Sequence, residues 1–230
     1  MKYRLFFKEE IVQKDDKMDD SQISWPEIKS LQSDLFSKNE IQIMENIYKK
    51  IISAEHFDDW RKLPESLDDT LGGTGLRNLI VPVEYGYTGN YPIRDRDVFR
   101  SLQYASICFT HKDINGFLRR DSIQESCEHI EAVLKRKFGA RINIFKLPLG
   151  SIIYEIQEHQ LISEPLLSQL KNINSINRKA KHSYSDEDLS EEDPSLDSHM
   201  FSVMDTIAMY FICRKIGVKL MSDLMDYPLH

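Results

Sequence analysis

No stretch of this sequence stays apolar for the ~20 residues that a membrane-spanning helix needs, and none of its three cysteines stands near another. Cys108, Cys127 and Cys213 form no CxxC pair. Neither a disulfide scaffold nor a zinc site is therefore expected, and a reducing compartment fits. Cys127 and Cys213 fall on apolar helix stripes, the usual place of a buried thiol. HExxH, GxSxG and the cysteine–histidine spacing of thiol nucleophiles are all missing, which removes the motif-bearing hydrolases. Positive charge is also short: Lys and Arg number 30 against 37 Asp and Glu, a formal charge of −7. A net acidic chain is no general nucleic-acid coat, so any RNA contact has to come from a local basic patch. The opening MKYRLFFKEE turns charged too soon for a secretory signal. The expectation is a cytoplasmic protein with no membrane contact, no metal and no cofactor.

Glycine and proline are scarce, at 9 and 8 in 230 residues, and they gather between 61 and 96. That segment is the least helical part. Leu79 to Val83 suits a short strand. Gly72-Gly-Thr-Gly75 has neither the preceding strand nor the following Lys-Ser/Thr of a phosphate loop and reads as a turn. Tyr85, Tyr87 and Tyr91 alternate with Arg94 and Arg96 nearby. Such a set either stacks on single-stranded RNA or packs the segment onto helices.

The rest reads as helix. Ser24-Trp-Pro26 looks like a cap and a first-turn proline, and Ser37 to Glu40 has capping-box spacing. Ile43, Met44, Ile47, Tyr48, Ile51 and Ile52 make one apolar face. Asp113 to Phe138 reads as a long helix with Phe117, Ile123, Cys127, Ile130, Leu134 and Phe138 on one stripe and Gly139 as its C-cap. A final helix is predicted to start near Met200, with Phe201, Met204, Ala208, Phe211 and Ile212 inward and Asp205 on the other side. Between them, 183–199 carries seven acidic residues from Ser183 to Ser198 and cannot build core.

The chain is organised around 149–182. A helix with Leu149, Ile152, Ile153 and Ile156 leads to Ser163-Glu-Pro165, a restart signal. The next helix carries Leu166, Leu170, Ile173 and Ile176, and closes on Asn177, Arg178, Lys179, Lys181 and His182. This helix–turn–helix with its N-R-K-A-K-H tip resembles the distal part of a HEPN domain (higher eukaryotes and prokaryotes nucleotide-binding). Glu131, Lys135 and Arg136 match the Glu-x-x-x-Lys-Arg pattern of an earlier helix in some of these domains. They also form an ordinary i, i+4 pair worth ~0.3–0.5 kcal/mol. The resemblance spans roughly 112–225.

It implies a mainly α, HEPN-like antiparallel helical bundle over 97–230, acidic loop included. Residues 1–96 form a helical N-terminal extension with the irregular Gly/Tyr-rich connecting segment. It further implies an RNA-targeting protein, a metal-independent endoribonuclease used as a toxin or in phage defence, acting as a homodimer and paired with an antitoxin or defence-system partner protein. In that reading Arg178, which stays charged and forks onto phosphate, and His182, which titrates near neutral pH, are catalytic and Asn177 assists. Glu131, Lys135, Arg136, Lys179 and Lys181 bind RNA. Only three residues separate Arg178 from His182, fewer than the family's four to six, and Asn177 stands where its Arg usually is. The alternative is a catalytically inactive HEPN-like module that binds a partner protein or nucleotide.

Overall fold

The apolar stripe that begins at Phe201 marks the centre of the fold. The computed structural model describes residues 19–53, 98, 100–109, 116–181 and 201–225; 83% of them are helical and none is in a strand. Seven helices follow in order among the described residues: α1 (Pro26–Leu35), α2 (Lys38–Ser53), α3 (Arg100–Phe109), α4 (Gly116–Ile142), α5 (Leu149–Glu158), α6 (Glu164–Lys181) and α7 (Val203–Met225). The mainly α class is as expected. The strand expected at 79–83, the Tyr/Arg set and the acidic segment 183–199 lie outside the described residues, as does His182.

Helix α7 is buried on every side from Val203 to Arg214. It packs on α4, α1, α2 and α3. Asp205 was expected to face away from the apolar stripe, yet it is buried, as are Thr206 and Arg214. The reason is the number of neighbours: with four helices packed on it, α7 has no outward face from Val203 to Arg214, and only beyond that do Lys215, Val218 and Lys219 reach the surface. The expected inward stripes of α5 and α6 are buried as read, from Leu149 to Ile156 and from Leu166 to Ile176. The core continues into α1 and α2 through Ile28, Leu31, Met44, Ile47 and Ile51.

The start of α7 is Val203 rather than near Met200. The Asp205 amide donates to Ser202 Oγ (2.9 Å) and the Ser202 amide to Asp205 Oδ2 (2.8 Å), a reciprocal cap. Asp205 also accepts the amides of Ser24 (3.0 Å) and Trp25 (3.4 Å) and the Ser24 hydroxyl. Ser24 is therefore spent on α7 and does not cap α1, whose N-cap residue Trp25 makes no side-chain cap bond. Burial pushes the Asp205 carboxyl above its ordinary range, and these donors oppose that shift. Arg119 of α4 forks onto Asp20 (2.6 and 3.1 Å) and donates to the Phe201 carbonyl (3.2 Å).

Such contacts give the helix directions. Ser122 of α4 donates to the Ala105 carbonyl of α3 (3.0 Å), while His129 further along meets Val98 before α3, so these two run antiparallel. Gln124 meets Ala180, and Cys127 meets Ile173, so α4 and α6 are antiparallel too. Arg119 meets Phe201, however, and Lys137 donates to the Leu220 carbonyl (2.8 Å), so α4 and α7 run parallel. The bundle is not antiparallel throughout, because α6 ends beside the start of α4 and α7 sets out from that same end.

Two further expectations change. Gly139 does not end α4. A Cβ there would run into the Phe145 ring, and the helix goes on to Ile142. Asn143 takes the left-handed turn (φ 52°), its amide bonding the Gly139 carbonyl (2.9 Å). Phe117 leaves the buried stripe, being 63% exposed with the Arg120 guanidinium 5.0 Å above its ring. It lies in the first turn of α4.

His129 is buried against α7 at Gly217, where a Cβ would fall on the ring. Its Nδ1 lies 2.6 Å from the Val98 carbonyl. A carbonyl only accepts, so Nδ1 carries a proton, and the lowered pKa keeps the ring neutral near pH 7. Burial pushes its pKa down to about 4, against the Val98 bond, which favours the charged ring. In the unfolded chain the same ring takes up a proton near its ordinary 6.5. The unfolded state thus binds more protons between these values, and stability falls as pH drops from 6.5 to about 4, by up to ~3 kcal/mol. Urea unfolding across that window is expected to show the loss, and His129→Asn to flatten it; an unchanged slope would place the loss elsewhere. Gly217→Ala should cost roughly 1–3 kcal/mol by overpacking against the ring.

Candidate functional site

The end of α6 divides its polar residues between two faces. Successive helical residues are rotated by about 100°, and the apolar stripe through Ile173 and Ile176 holds one face inward. Asn177 falls on that face, only 5% exposed, and its Oδ1 is buried with no hydrogen-bond partner. Arg178 and Lys181 fall on the outer face and are exposed. Neither has an ion-pair partner among the described residues. Asn177 and Arg178 therefore do not share a surface.

Lys179 turns the other way, toward α1. Its Nζ donates to Glu27 Oε1 (2.5 Å) and sits 4.6 Å from the Trp25 ring centre. That bond holds the Glu27 carboxyl below its ordinary range. Trp25 in turn packs on Phe201 with ring centres 5.1 Å apart. The Ala180 carbonyl, one of four left over at a helix end, is satisfied by Gln124 Nε2 (2.9 Å). The negative end of the helix dipole favours the remaining cations. This arrangement can offer a phosphate two cations that no described residue pairs, with a third pinned behind them. His182 follows outside the described residues, so the Arg178–His182 pairing has no geometry to report.

The second expected cluster lies on α4. Glu131 Oε1 pairs with Lys135 Nζ (2.7 Å), and Glu131 Oε2 accepts the Leu149 amide (2.9 Å), the first of α5. The N-cap residue of α5 is Pro148, which makes no side-chain bond. A glutamate from another helix replaces it. Arg136 is partly buried one residue on. Gln124 marks the level of the α6 tip, and Arg136 is twelve residues along α4, roughly 18 Å at 1.5 Å per residue. The two expected RNA-binding sets are thus separate. Glu131 and Lys135 instead line a groove of about 520 Å³ between α3 and α4.

Several polar residues here escaped sequence reading. Asp205, His129 and Arg214 stand on helix patterns that look amphipathic, and only the packing shows them enclosed. The link from Glu27 to Lys179 spans 152 positions with no local signal. The one available cue was the Ser202–Asp205 spacing, which marks a cap. Among the described residues no group of three or more His, Cys, Asp or Glu could hold a metal ion, and no helix is long and apolar enough to cross a membrane.

Alanine variants separate pinned residues from exposed ones. Glu131→Ala should lose about 1 kcal/mol through the α5 cap, and Lys179→Ala a similar amount through its ion pair and ring contact. Arg178→Ala should stay within roughly 0.5 kcal/mol. Thermal or urea unfolding of the three checks this, and equal losses would contradict the division into faces. Comparison of the chain with protein-family models, with curated proteins and with solved structures finds no match.

Proposed function

We propose that this protein is a HEPN-like helical bundle that acts on RNA through the outer face at the end of α6. The observation that supports the reading is the exposure of Arg178 and Lys181, free of ion pairs among the described residues, on a helix end where Lys179 is pinned and Asn177 buried. Arg178 binds the scissile phosphate and stabilises the charge that builds on it. His182, four residues on in the sequence, moves the proton. Cleavage needs no metal: the 2′-hydroxyl loses a proton to a base, its oxygen attacks phosphorus, and an acid protonates the departing 5′-oxygen. A single histidine cannot be base and acid in one step, so a homodimer with two such sites supplies the second group. A metal-independent endoribonuclease of this kind acts as a toxin or in phage defence, held in check by an antitoxin or other partner protein.

A second reading is favoured by Asn177, whose carboxamide lies in the packed interface and not beside Arg178. In it the bundle is catalytically silent and binds a partner protein or a nucleotide.

Purified protein incubated with single-stranded RNA in EDTA distinguishes the two. The nuclease reading expects cleavage that falls at least ~100-fold in both His182→Ala and Arg178→Ala. Binding without cleavage, weakened in Arg178→Ala, supports a silent RNA-binding module. Neither binding nor cleavage by folded protein ends the assignment to RNA.

A further inference from the structure

Three carboxylates on the outer side of α4 have no partner among the described residues. Asp121, Glu125 and Glu128 follow one another at i, i+4 and i+7, a single row of a helix. Among the described residues none of them has an ion-pair partner or accepts a hydrogen bond. Like charges at these spacings oppose each other by ~0.2–0.5 kcal/mol per pair. Burial, then the charges of Glu128 and Asp121, push the Glu125 carboxyl above its ordinary range. The row ends at Lys135, and that ammonium is already taken by Glu131. The helix therefore keeps a like-charge row that weakens it.

Facing this row, α3 presents Arg100, Tyr104 and Ile107, again at i, i+4 and i+7. Tyr104 is 51% and Ile107 49% exposed, although α3 is otherwise well packed on α4 through Leu102, Ala105 and Phe109. A groove of about 520 Å³ runs between the two helices past Arg100, Tyr104, Glu125 and Glu128, and Asp121 and Ile107 continue the two rows beyond its lining. The α4 wall carries Glu125 and Glu128, with the Glu131–Lys135 pair at its end, and the α3 wall carries Tyr104 with Arg100 beside it.

We propose that this groove between α3 and α4 is the docking site for a cationic amphipathic helix of a partner protein. Its charge chooses the occupant. Phosphates and anionic lipid headgroups are repelled by Glu125 and Glu128 in the groove and by Asp121 beyond it, whereas Lys or Arg side chains of a partner find three carboxylates that no described residue pairs, outnumbering the one Arg100. The spacing chooses the form, since a second helix offers cations at the same four-and-three steps and turns its apolar side to Tyr104 and Ile107. Asp121 to Lys135 spans roughly 21 Å along α4, the length of a helix of about fourteen residues. The site lies on a different face from the α6 tip and does not depend on the RNA reading.

The test uses a fluorescent synthetic peptide of about sixteen residues, with leucine on one helical face and lysine at i, i+4 and i+7 beside it. A scrambled peptide of the same composition is the control. Anisotropy is expected to show binding of the patterned peptide alone. Affinity should fall about tenfold in Glu125→Gln/Glu128→Gln and in Tyr104→Ala/Ile107→Ser, and the first variant should show the weaker salt dependence. Removing the like charges leaves the fold intact or steadier, so the glutamine variant stays informative if the apolar one misfolds. Equal binding of the scrambled peptide, unchanged affinity in the glutamine variant, or no binding at all overturns the proposal. So does a dimer that falls apart in that variant, which would give the groove to a second copy of the chain.

Discussion

The carboxylate of Asp205 is the point on which the fold depends. It sits in the first turn of α7, where a helix has unsatisfied amides and a partly positive end. It satisfies the Ser202 amide there and also accepts both donors of Ser24. A buried charge is costly unless fully bonded, and this one is bonded from two directions. The same carboxylate that caps the start of α7 also fixes where the segment ahead of α1 must lie. From there Asp20 meets Arg119 on α4, and Glu27 meets Lys179 on α6. A stretch of eight residues thus touches three helices, each through a charged partner.

This segment also sets the orientation of the α6 tip. Lys179 is held between Glu27 and the Trp25 ring, and the Trp25 ring rests on Phe201 just ahead of α7. With Asn177 packed on the inner side and Gln124 on the Ala180 carbonyl, the last turn of α6 has little freedom to rotate. Arg178 and Lys181 point outward because their neighbours in sequence are fixed inward. A rigid helix end is a better platform for two cations than a loop would be, since less side-chain and backbone freedom is lost on binding.

Much of this architecture could be read from residue patterns, and what could not has a common cause. The stripes of α5 and α6 and the Ser37–Glu40 cap, whose bonds measure 2.8 Å, are local and appear as expected. Ser24 carries an equally good local signal, but a partner 181 positions away competes for it and wins. Gly139 looks like a terminator, yet the Phe145 ring uses its missing side chain while Asn143 makes the turn. Glu131 and Lys135 have the spacing of an exposed ion pair and do form one, but the second glutamate oxygen caps another helix, a role that spacing alone does not reveal. At the candidate site, Arg178 and Lys181 follow from helical phase once the apolar stripe is known. The inward turn of Asn177 and Lys179 depends on which helices stand beside α6.

The order of the helices has a consequence for synthesis. Six of the described helices leave the ribosome before α7, and the inner faces of four of them converge on it. Until residues 201–225 emerge, α1, α2, α3 and α4 form a hollow assembly whose apolar lining has no centre to cover. Local pieces such as the α5–α6 hairpin can close early, because their contacts are near in sequence. Completion of the core waits for contacts such as Ser24 to Asp205 and Glu40 to Lys215, which join segments translated far apart in time. Long-range closure of this kind slows folding relative to bundles with only neighbouring contacts. A nascent chain in that interval shows sticky surface to its surroundings, which is the condition in which chaperones bind.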